Sequence, residues 1–169
     1  MAKVAFYTQA YNSGKYISKC IKSILDQTYP DFKYYIFDNG STDNTWKIIN
    51  EFAEHDERIV PVHIDKNTRG LLNKYIEMMK DEEYLVTLDS DDWYEPEFLK
   101  EMIELLEETD SDMVTCGSLI LYEESKETFF KRPADKVVFF EKEQFGVSFP
   151  YLYSYYGALW GRIYKLRII

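Results

Sequence analysis

Three aspartates stand close together near the middle of the chain. Asp89, Asp91 and Asp92, with Ser90 among them, follow the apolar residues 84–88, which are typical of a buried strand. In sheets of parallel strands, ligands bind beyond the carboxyl ends of the strands. Carboxylates packed this densely need a cation, and hard oxygen ligands suit Mg²⁺ or Mn²⁺ held jointly with substrate phosphates. The cluster therefore predicts a divalent-cation site; the alternative is that one aspartate caps the next helix while the others are solvated.

A further aspartate and a tyrosine follow two other apolar segments. Asp38 comes directly after residues 32–37, and Tyr11 lies just beyond residues 3–8. A carboxylate at a strand end can accept a hydrogen bond from a ring N–H, which uracil, thymine and guanine carry and neutral adenine and cytosine lack. Tyr11 can offer a flat aromatic face to such a base. The plainer alternatives, a turn residue for Asp38 and core packing for Tyr11, remain open on the sequence alone.

Several other kinds of site are not found in the sequence. The seven glycines match neither the dinucleotide fingerprint GxGxxG nor the phosphate-binding loop GxxxxGK[ST], and no GxSxG element is present. His55 and His63 have no partner at the spacing of metal ligands, which disfavours a zinc hydrolase. Cys20 and Cys116 are too few for a disulfide framework, and we expect both to be small buried thiols.

The composition indicates one folded domain of ordinary size. The chain has 169 residues, of which 46% are hydrophobic and 17% aromatic, enough to bury a core. Its 20 Lys and Arg against 30 Asp and Glu give a net charge of −10, which disfavours nucleic acid as a partner. No long apolar run follows a basic start, and no transmembrane segment is found. We expect a cytoplasmic protein, with peripheral attachment to the inner face of a membrane as an option.

The elements that must position these residues alternate along the first hundred residues. Strands are predicted at 3–8, 32–37, 59–64 and 84–88. The first helix has its apolar face at 17–24 and is expected to end near Tyr29-Pro30. Further helical patterns lie at 46–53, 72–79 and 99–106, the last after a helix start at Pro96. This order predicts a doubly wound α/β domain with a mostly parallel sheet. Beyond about residue 110 the pattern changes to strands at 113–122, 129–131 and 137–140, followed by an aromatic tail at 149–169 without a clear period. No linker interrupts the chain, so residues 1–169 are expected to form a single domain.

Four sequence blocks resemble the family 2 glycosyltransferases, which have the GT-A fold. They are AYNSGKY at 10–16, SILDQTYPDF at 23–32, DNGSTD at 38–43 and LDSDDW at 88–93. A weaker likeness continues into LWGRIY at 159–164. The resemblance implies a Rossmann-like α/β/α sandwich and a metal-dependent transfer, with inversion, of a sugar from a nucleotide diphosphate donor. The acceptor is expected to be a saccharide or a lipid-linked hydroxyl compound.

The same resemblance implies a set of site residues. Ala10 and Tyr11 would line the base pocket, Asp38 would bind the base, and Asp89 would approach the ribose or the metal. The implied nucleotide-sugar-binding residues are Gln9, Ala10, Tyr11, Asp38, Arg69, Asp89 and Ser90, and the implied ligands of Mn²⁺ or Mg²⁺ are Asp91 and Asp89. UDP is expected over GDP or dTDP. A solvated arginine at a helix start is the alternative for Arg69.

The chain also departs from the family pattern. Gln9 stands where many members have proline, and the loop 65–73 is shorter than usual. The acid that serves the family as general base lies after the Trp160 segment, so we expect it beyond Ile169, in an enzyme of which this chain is the donor-binding portion. A non-catalytic module that binds a nucleotide sugar or a partner, and a sugar-phosphate nucleotidyltransferase, are the competing interpretations.

Overall fold

A computed structural model describes residues 3–122, 124–125, 128–132 and 160–169. The strands are β1 (Val4–Ala10), β2 (Phe32–Asp38), β3 (Ile59–His63), β4 (Tyr84–Thr87), β5 (Met113–Thr115), β6 (Ser118–Leu121), β7 (Thr128–Arg132) and β8 (Arg162–Lys165). The helices are α1 (Ile17–Leu25), α2 (Thr45–Ala53), α3 (Leu71–Tyr75) and α4 (Phe98–Thr109), with 3₁₀ turns at Ile76–Met79 and Leu166–Ile168.

The main sheet has the strand order β3-β2-β1-β4-β8-β5. The pairs β3–β2, β2–β1 and β1–β4 are parallel, whereas β8 is antiparallel to both β4 and β5. The predicted α/β fold with a mostly parallel sheet is therefore confirmed. The chain adds β2 and β3 on one side of β1 and then returns to place β4 on the other side. The strand order reverses between β1 and β4, which is where doubly wound sheets form a ligand crevice.

Both faces of the main sheet are covered. On one face Phe6, Tyr34 and Val86 belong to a core that α1, α2 and α4 complete. On the other face Tyr7 and Phe37 pack with α3 and the turn after it. The alternation follows from the period of two in a strand, which sends neighbouring side chains to opposite faces. No described helix is long and apolar enough to cross a membrane.

The core also decides the two cysteine predictions. Cys20 is fully buried on the inner face of α1, as expected. Its surroundings raise the pKa of the thiol to about 12, chiefly because burial disfavours the thiolate. Cys116 lies between β5 and β6 and is only half-buried, so the expectation for it was wrong. A residue between two strands of different sheets has fewer neighbours than one on a helix face inside the core.

The second half of the described chain differs from the sequence prediction. The predicted single strand 113–122 is two strands, with β5 in the main sheet and β6 in a separate antiparallel ribbon with β7. The tail, to which no strand was assigned, contains β8, an inner strand of the main sheet. The four residues of β8, RIYK, do not alternate between polar and apolar. Its partner strands lie about 50 to 80 residues away in the chain, so no local sequence pattern predicts this strand. The strand predicted at 137–140 lies outside the described residues, and the single domain stays a prediction.

Candidate functional site

The residues singled out from the sequence meet at the carboxyl edge of the main sheet. Ala10 pairs with Asp38 across β1 and β2, and the Leu88 amide donates to the Tyr7 carbonyl across β1 and β4. The segment after β1 consequently lies between Asp38 on one side and the Asp89 cluster on the other. Parallel strands bring their carboxyl ends to one edge, which is why segments distant in sequence converge here.

Asp38, the last residue of β2, is fully buried although it is an acid. The Nδ1–H of His63 donates to its Oδ2 at 2.8 Å, and His63 is its register partner at the end of β3. The other carboxylate oxygen, Oδ1, is buried and has no hydrogen-bond partner. Such an acceptor is costly to leave unpaired, and Asp38 ends β2 at the edge of the sheet where the predicted site residues meet. Sequence reasoning missed His63 because its pairing runs between strands.

Neutral hydrogen bonds hold the segment that carries the aspartate cluster. The hydroxyls of Ser90 and Ser13 lie 2.7 Å apart, and both side chains are buried. The Thr8 hydroxyl donates to the Leu88 carbonyl at 2.9 Å. The Ser90 hydroxyl therefore ties the cluster to the loop after β1. Its predicted contact with the nucleotide sugar stays a prediction.

Asp89 and Asp91 are exposed residues at this edge, and neither forms an ion pair with a described residue. The pKa of Asp89 is raised, first by partial desolvation and then by the negative charge of Asp91. The described residues contain no group of three potential metal ligands. Two carboxylates nevertheless fit a hard cation that brings phosphate oxygens with it, as Mg²⁺ commonly does.

Arg69 lies at the end of a loop that is tied to the sheet. The buried side chain of Asn39 donates to Asn67 Oδ1 and to the Thr68 carbonyl, both at 2.9 Å, and accepts from the Thr68 amide at 2.8 Å. Gly40 has a φ of +76°, and a Cβ there would lie 3.1 Å from the Ile64 carbonyl oxygen, so a side chain would be both strained and crowded. The hydrogen bonds of Asn39 had not been predicted, since they join two loops almost thirty residues apart.

The loop that carries Arg69 borders the crevice. Gly70 lines a cavity of about 230 Å³ together with Gln9 and Asp89. The Arg69 side chain is exposed and makes no ion pair with a described residue. Its predicted contact with the nucleotide sugar stays a prediction, and its exposure fits the solvated alternative as well.

The three consecutive residues predicted at the end of β1 have different environments. The side chain of Tyr11 is 46% exposed, whereas that of Ala10 is fully buried in the core. The Ala10 carbonyl accepts a hydrogen bond from the Asn39 amide at 2.8 Å, so its backbone joins two loops of the crevice. Gln9 is half-buried and accepts from the Tyr7 hydroxyl at 3.3 Å. Of the three side chains, that of Tyr11 is the one most available for stacking on a base.

Comparison with protein families agrees with this geometry. Residues 7–166 match the model of the family described as Glycosyl transferase family 2. The chain belongs to this family. The family 2 chain is similar to the glycosyltransferases GlyA and GlyG of Streptococcus pneumoniae serotype 4. It is 28% identical to GlyA over 181 residues, which cover 98% of the chain and 25% of GlyA. It is 34% identical to GlyG over 123 residues, which cover 71% of the chain and 40% of GlyG.

Solved structures establish the fold of the family 2 chain as GT-A. S. aureus TarS 1–349 in complex with UDP matches with a TM-score of 0.70 and 21% identity, over 98% of this chain and 47% of that one. Mannosyltransferase PcManGT from Pyrobaculum calidifontis, in complex with GDP-Man and Mn²⁺, matches with a TM-score of 0.59 and 21% identity, over 68% of this chain and 35% of that one. The family 2 chain thus spans a quarter to a half of the proteins it matches here.

Proposed function

We propose that this chain holds the donor-binding site of an inverting, metal-dependent glycosyltransferase. The donor is a nucleotide diphosphate sugar, with UDP favoured over GDP and dTDP, and the acceptor is a hydroxyl of a saccharide or of a lipid-linked compound. Membership of the family supports transfer of a sugar. The base that takes the proton of the acceptor hydroxyl is not assigned to any described residue.

The observation that carries this proposal is the unpaired oxygen of Asp38. This buried carboxylate oxygen, at the end of β2 beside the segment after β1, lacks a donor, and the N3–H of uracil would supply one. Guanine carries an equivalent ring N–H, so Asp38 alone does not separate UDP from GDP. The preference for UDP is supported by the TarS complexes with UDP and UDP-GlcNAc, which match at TM-scores of 0.70 and 0.72, above that of the GDP-Man complex.

Asp91 and Asp89 are the residues that would hold Mn²⁺ or Mg²⁺. The metal would neutralise the diphosphate and stabilise the nucleoside diphosphate as a leaving group. The charge of the chain supports this role, since a diphosphate must approach acids on a protein of net charge −10. Arg69, exposed beside the same cavity, would add a second positive charge near the phosphates.

Calorimetric titration tests the proposal. UDP, GDP and dTDP are titrated with and without Mn²⁺ into the wild type, Asp91→Ala and Asp112→Ala. UDP should bind best, and only with the metal. Asp91→Ala should weaken binding about 10- to 100-fold, because one bond to a charged group contributes about 1.5–3 kcal/mol. Asp112, an exposed acid at the opposite edge of the sheet that pairs with Arg167, is the matched control and should leave binding unchanged.

Two results would count against this assignment. Binding that is equally strong without a divalent metal would remove the role of the aspartate cluster. Equal affinities of the wild type and Asp91→Ala would place the metal elsewhere. A folded Asp91→Ala variant is expected, since its side chain is exposed and has no ion pair with a described residue.

A further inference from the structure

Among the described residues, His63 is the one whose side chain forms a hydrogen bond with the carboxylate of Asp38. Its Nδ1 lies 2.8 Å from Asp38 Oδ2, and the two residues are register partners at the ends of β3 and β2. The imidazole is 39% exposed while the carboxylate it contacts is fully buried. The histidine thus lies at the end of β3, partly exposed, with one ring nitrogen turned to the buried acid.

The orientation of the imidazole is restrained by Trp46 of α2. The two rings have centroids 5.0 Å apart and an interplanar angle of 42°, which is a tilted packing contact. A half-exposed histidine without such a neighbour would sample several rotamers. The packing therefore keeps Nδ1 directed at Asp38.

The two carboxylate oxygens of Asp38 differ in their hydrogen bonding. Oδ2 is occupied by the histidine, and Oδ1 is left as an acceptor without a partner. A carboxylate pinned on one side can offer the other oxygen in a fixed direction, which a freely rotating carboxylate does not. The free oxygen of Asp38 can accept a hydrogen bond from the N3–H of uracil. Cytosine has a lone pair at N3, which a carboxylate oxygen repels.

We infer that His63 is a positioning residue that sets the base preference of the site, by holding Asp38 so that Oδ1 accepts the N3–H of uracil. The inference rests on the proposed function, because it deepens the role given there to Asp38. Two consequences distinguish it from a simple tie between β2 and β3. Losing the Nδ1 donor lowers affinity for UDP but not for CDP, and an amide at the position of Nδ1 restores it.

The test is calorimetry with UDP and CDP in the presence of Mn²⁺. His63→Leu removes the donor, His63→Asn places an amide N–H close to the position of Nδ1, and His63→Gln places it one bond farther out. We expect His63→Leu and His63→Gln to bind UDP about 10- to 100-fold more weakly, with CDP affinity unchanged. His63→Asn should keep most of the wild-type preference for UDP. The Asn and Gln variants are both polar, so their comparison holds if the leucine variant folds poorly.

The other histidine of the chain provides the control. His55 is exposed, and its Nδ1 contacts the Glu51 carbonyl at the end of α2, away from the crevice. His55→Leu should leave both affinities unchanged. If the wild type binds neither nucleotide, the proposed function fails and this inference fails with it. If the wild type prefers UDP and His63→Leu keeps that preference, or if UDP and CDP weaken equally, the inference alone is overturned.

Discussion

At the carboxyl edge of the main sheet, Asp89 and Asp91 have no ion pair with a described residue, whereas at the amino edge Asp110 and Asp112 each contact a cation. Lys165 lies 2.7 Å from Asp110 and Arg167 lies 2.9 Å from Asp112. Lys3, just before β1, contacts Glu107 at the same edge. Asp110 and Asp112 are therefore neutralised within the fold, whereas Asp89 and Asp91 have no such partner among the described residues.

The two edges also differ in how their backbone is held. At the carboxyl edge several ordering contacts are neutral hydrogen bonds, such as those of Asn39 to the loop 67–68 and of Ser90 to Ser13. Neutral hydrogen bonds leave the charge of the edge unchanged. They can therefore order the backbone there without occupying the charged groups that a ligand would contact. Ion pairs at a solvent-exposed edge contribute little by themselves. Deleting a neutral tie should consequently cost more than deleting an ion pair.

The largest effect is expected for Tyr94→Phe. The Tyr94 hydroxyl donates to the Thr87 carbonyl and accepts from the Gly161 amide, each at 2.8 Å, and so joins β4 to the start of β8. Phenylalanine keeps the stacking on Phe98 but leaves two buried backbone groups unpaired. Unfolding free energy should fall by about 2–3 kcal/mol in urea titrations. Tyr7→Phe, which loses only a 3.3 Å bond to Gln9, is the matched control and should cost under about 1 kcal/mol.

Equal destabilisation by the two tyrosine variants would contradict the role given to the neutral ties. It would mean that loss of either hydroxyl acts through packing and not through the bond between β4 and β8.

A smaller effect, of opposite sign, is expected for Glu82→Gln. Glu82, 6% exposed, accepts from the Tyr35 hydroxyl at 3.1 Å, and its Oε2 is buried without a partner. Burial raises the pKa of this carboxyl, while the Tyr35 bond opposes the rise. Because the folded state holds the proton more tightly than the unfolded chain, stability is greatest below the ordinary glutamate pKa and declines as pH rises through the raised value.

Glutamine cannot ionise and avoids that loss. At pH 7.5 the free energy of unfolding of the Glu82→Gln variant should be about 1 kcal/mol higher than that of the wild type, which raises Tm by about 2–4 °C. At pH 4 this gain in stability should vanish. Glu83→Gln, at an exposed neighbouring position, should change Tm little at either pH. A gain that persists at pH 4 would show that the buried charge is not its cause.

The smallest effect is expected for Arg167→Met, which breaks the pair with Asp112. Both side chains are more than half exposed, so solvent screens the attraction. The change in unfolding free energy should stay under about 0.5 kcal/mol, and a double-mutant cycle with Asp112→Asn should give a coupling of similar size. A coupling energy above about 1 kcal/mol between Arg167 and Asp112 would show that ion pairs at the amino edge contribute as much stability as the neutral hydrogen bonds at the carboxyl edge.

The sequence was sufficient for the elements that local periodicity encodes. The first four strands and the helices between them lie where apolar spacing predicts, to within a few residues. The exceptions are the first helix, which ends at Leu25 and not near Tyr29-Pro30, and the third, which ends early in a 3₁₀ turn. The positions of Asp38 and the Asp89 cluster followed as well, because each lies at the carboxyl end of a predicted strand. These features depend on residues near one another in the chain, which is why a pattern can reveal them.

The tertiary structure alone decided what depends on distant segments. β8 enters the sheet between β4 and β5, His63 pairs with Asp38 across 25 residues, and Ser90 meets Ser13 across 77. A contact between segments so far apart leaves no period in either of them, since each residue alone is compatible with many partners. The sequence thus determined that an acidic edge exists at the ends of these strands. The packing of the strands determined which oxygen of Asp38 is held and which is left unpaired.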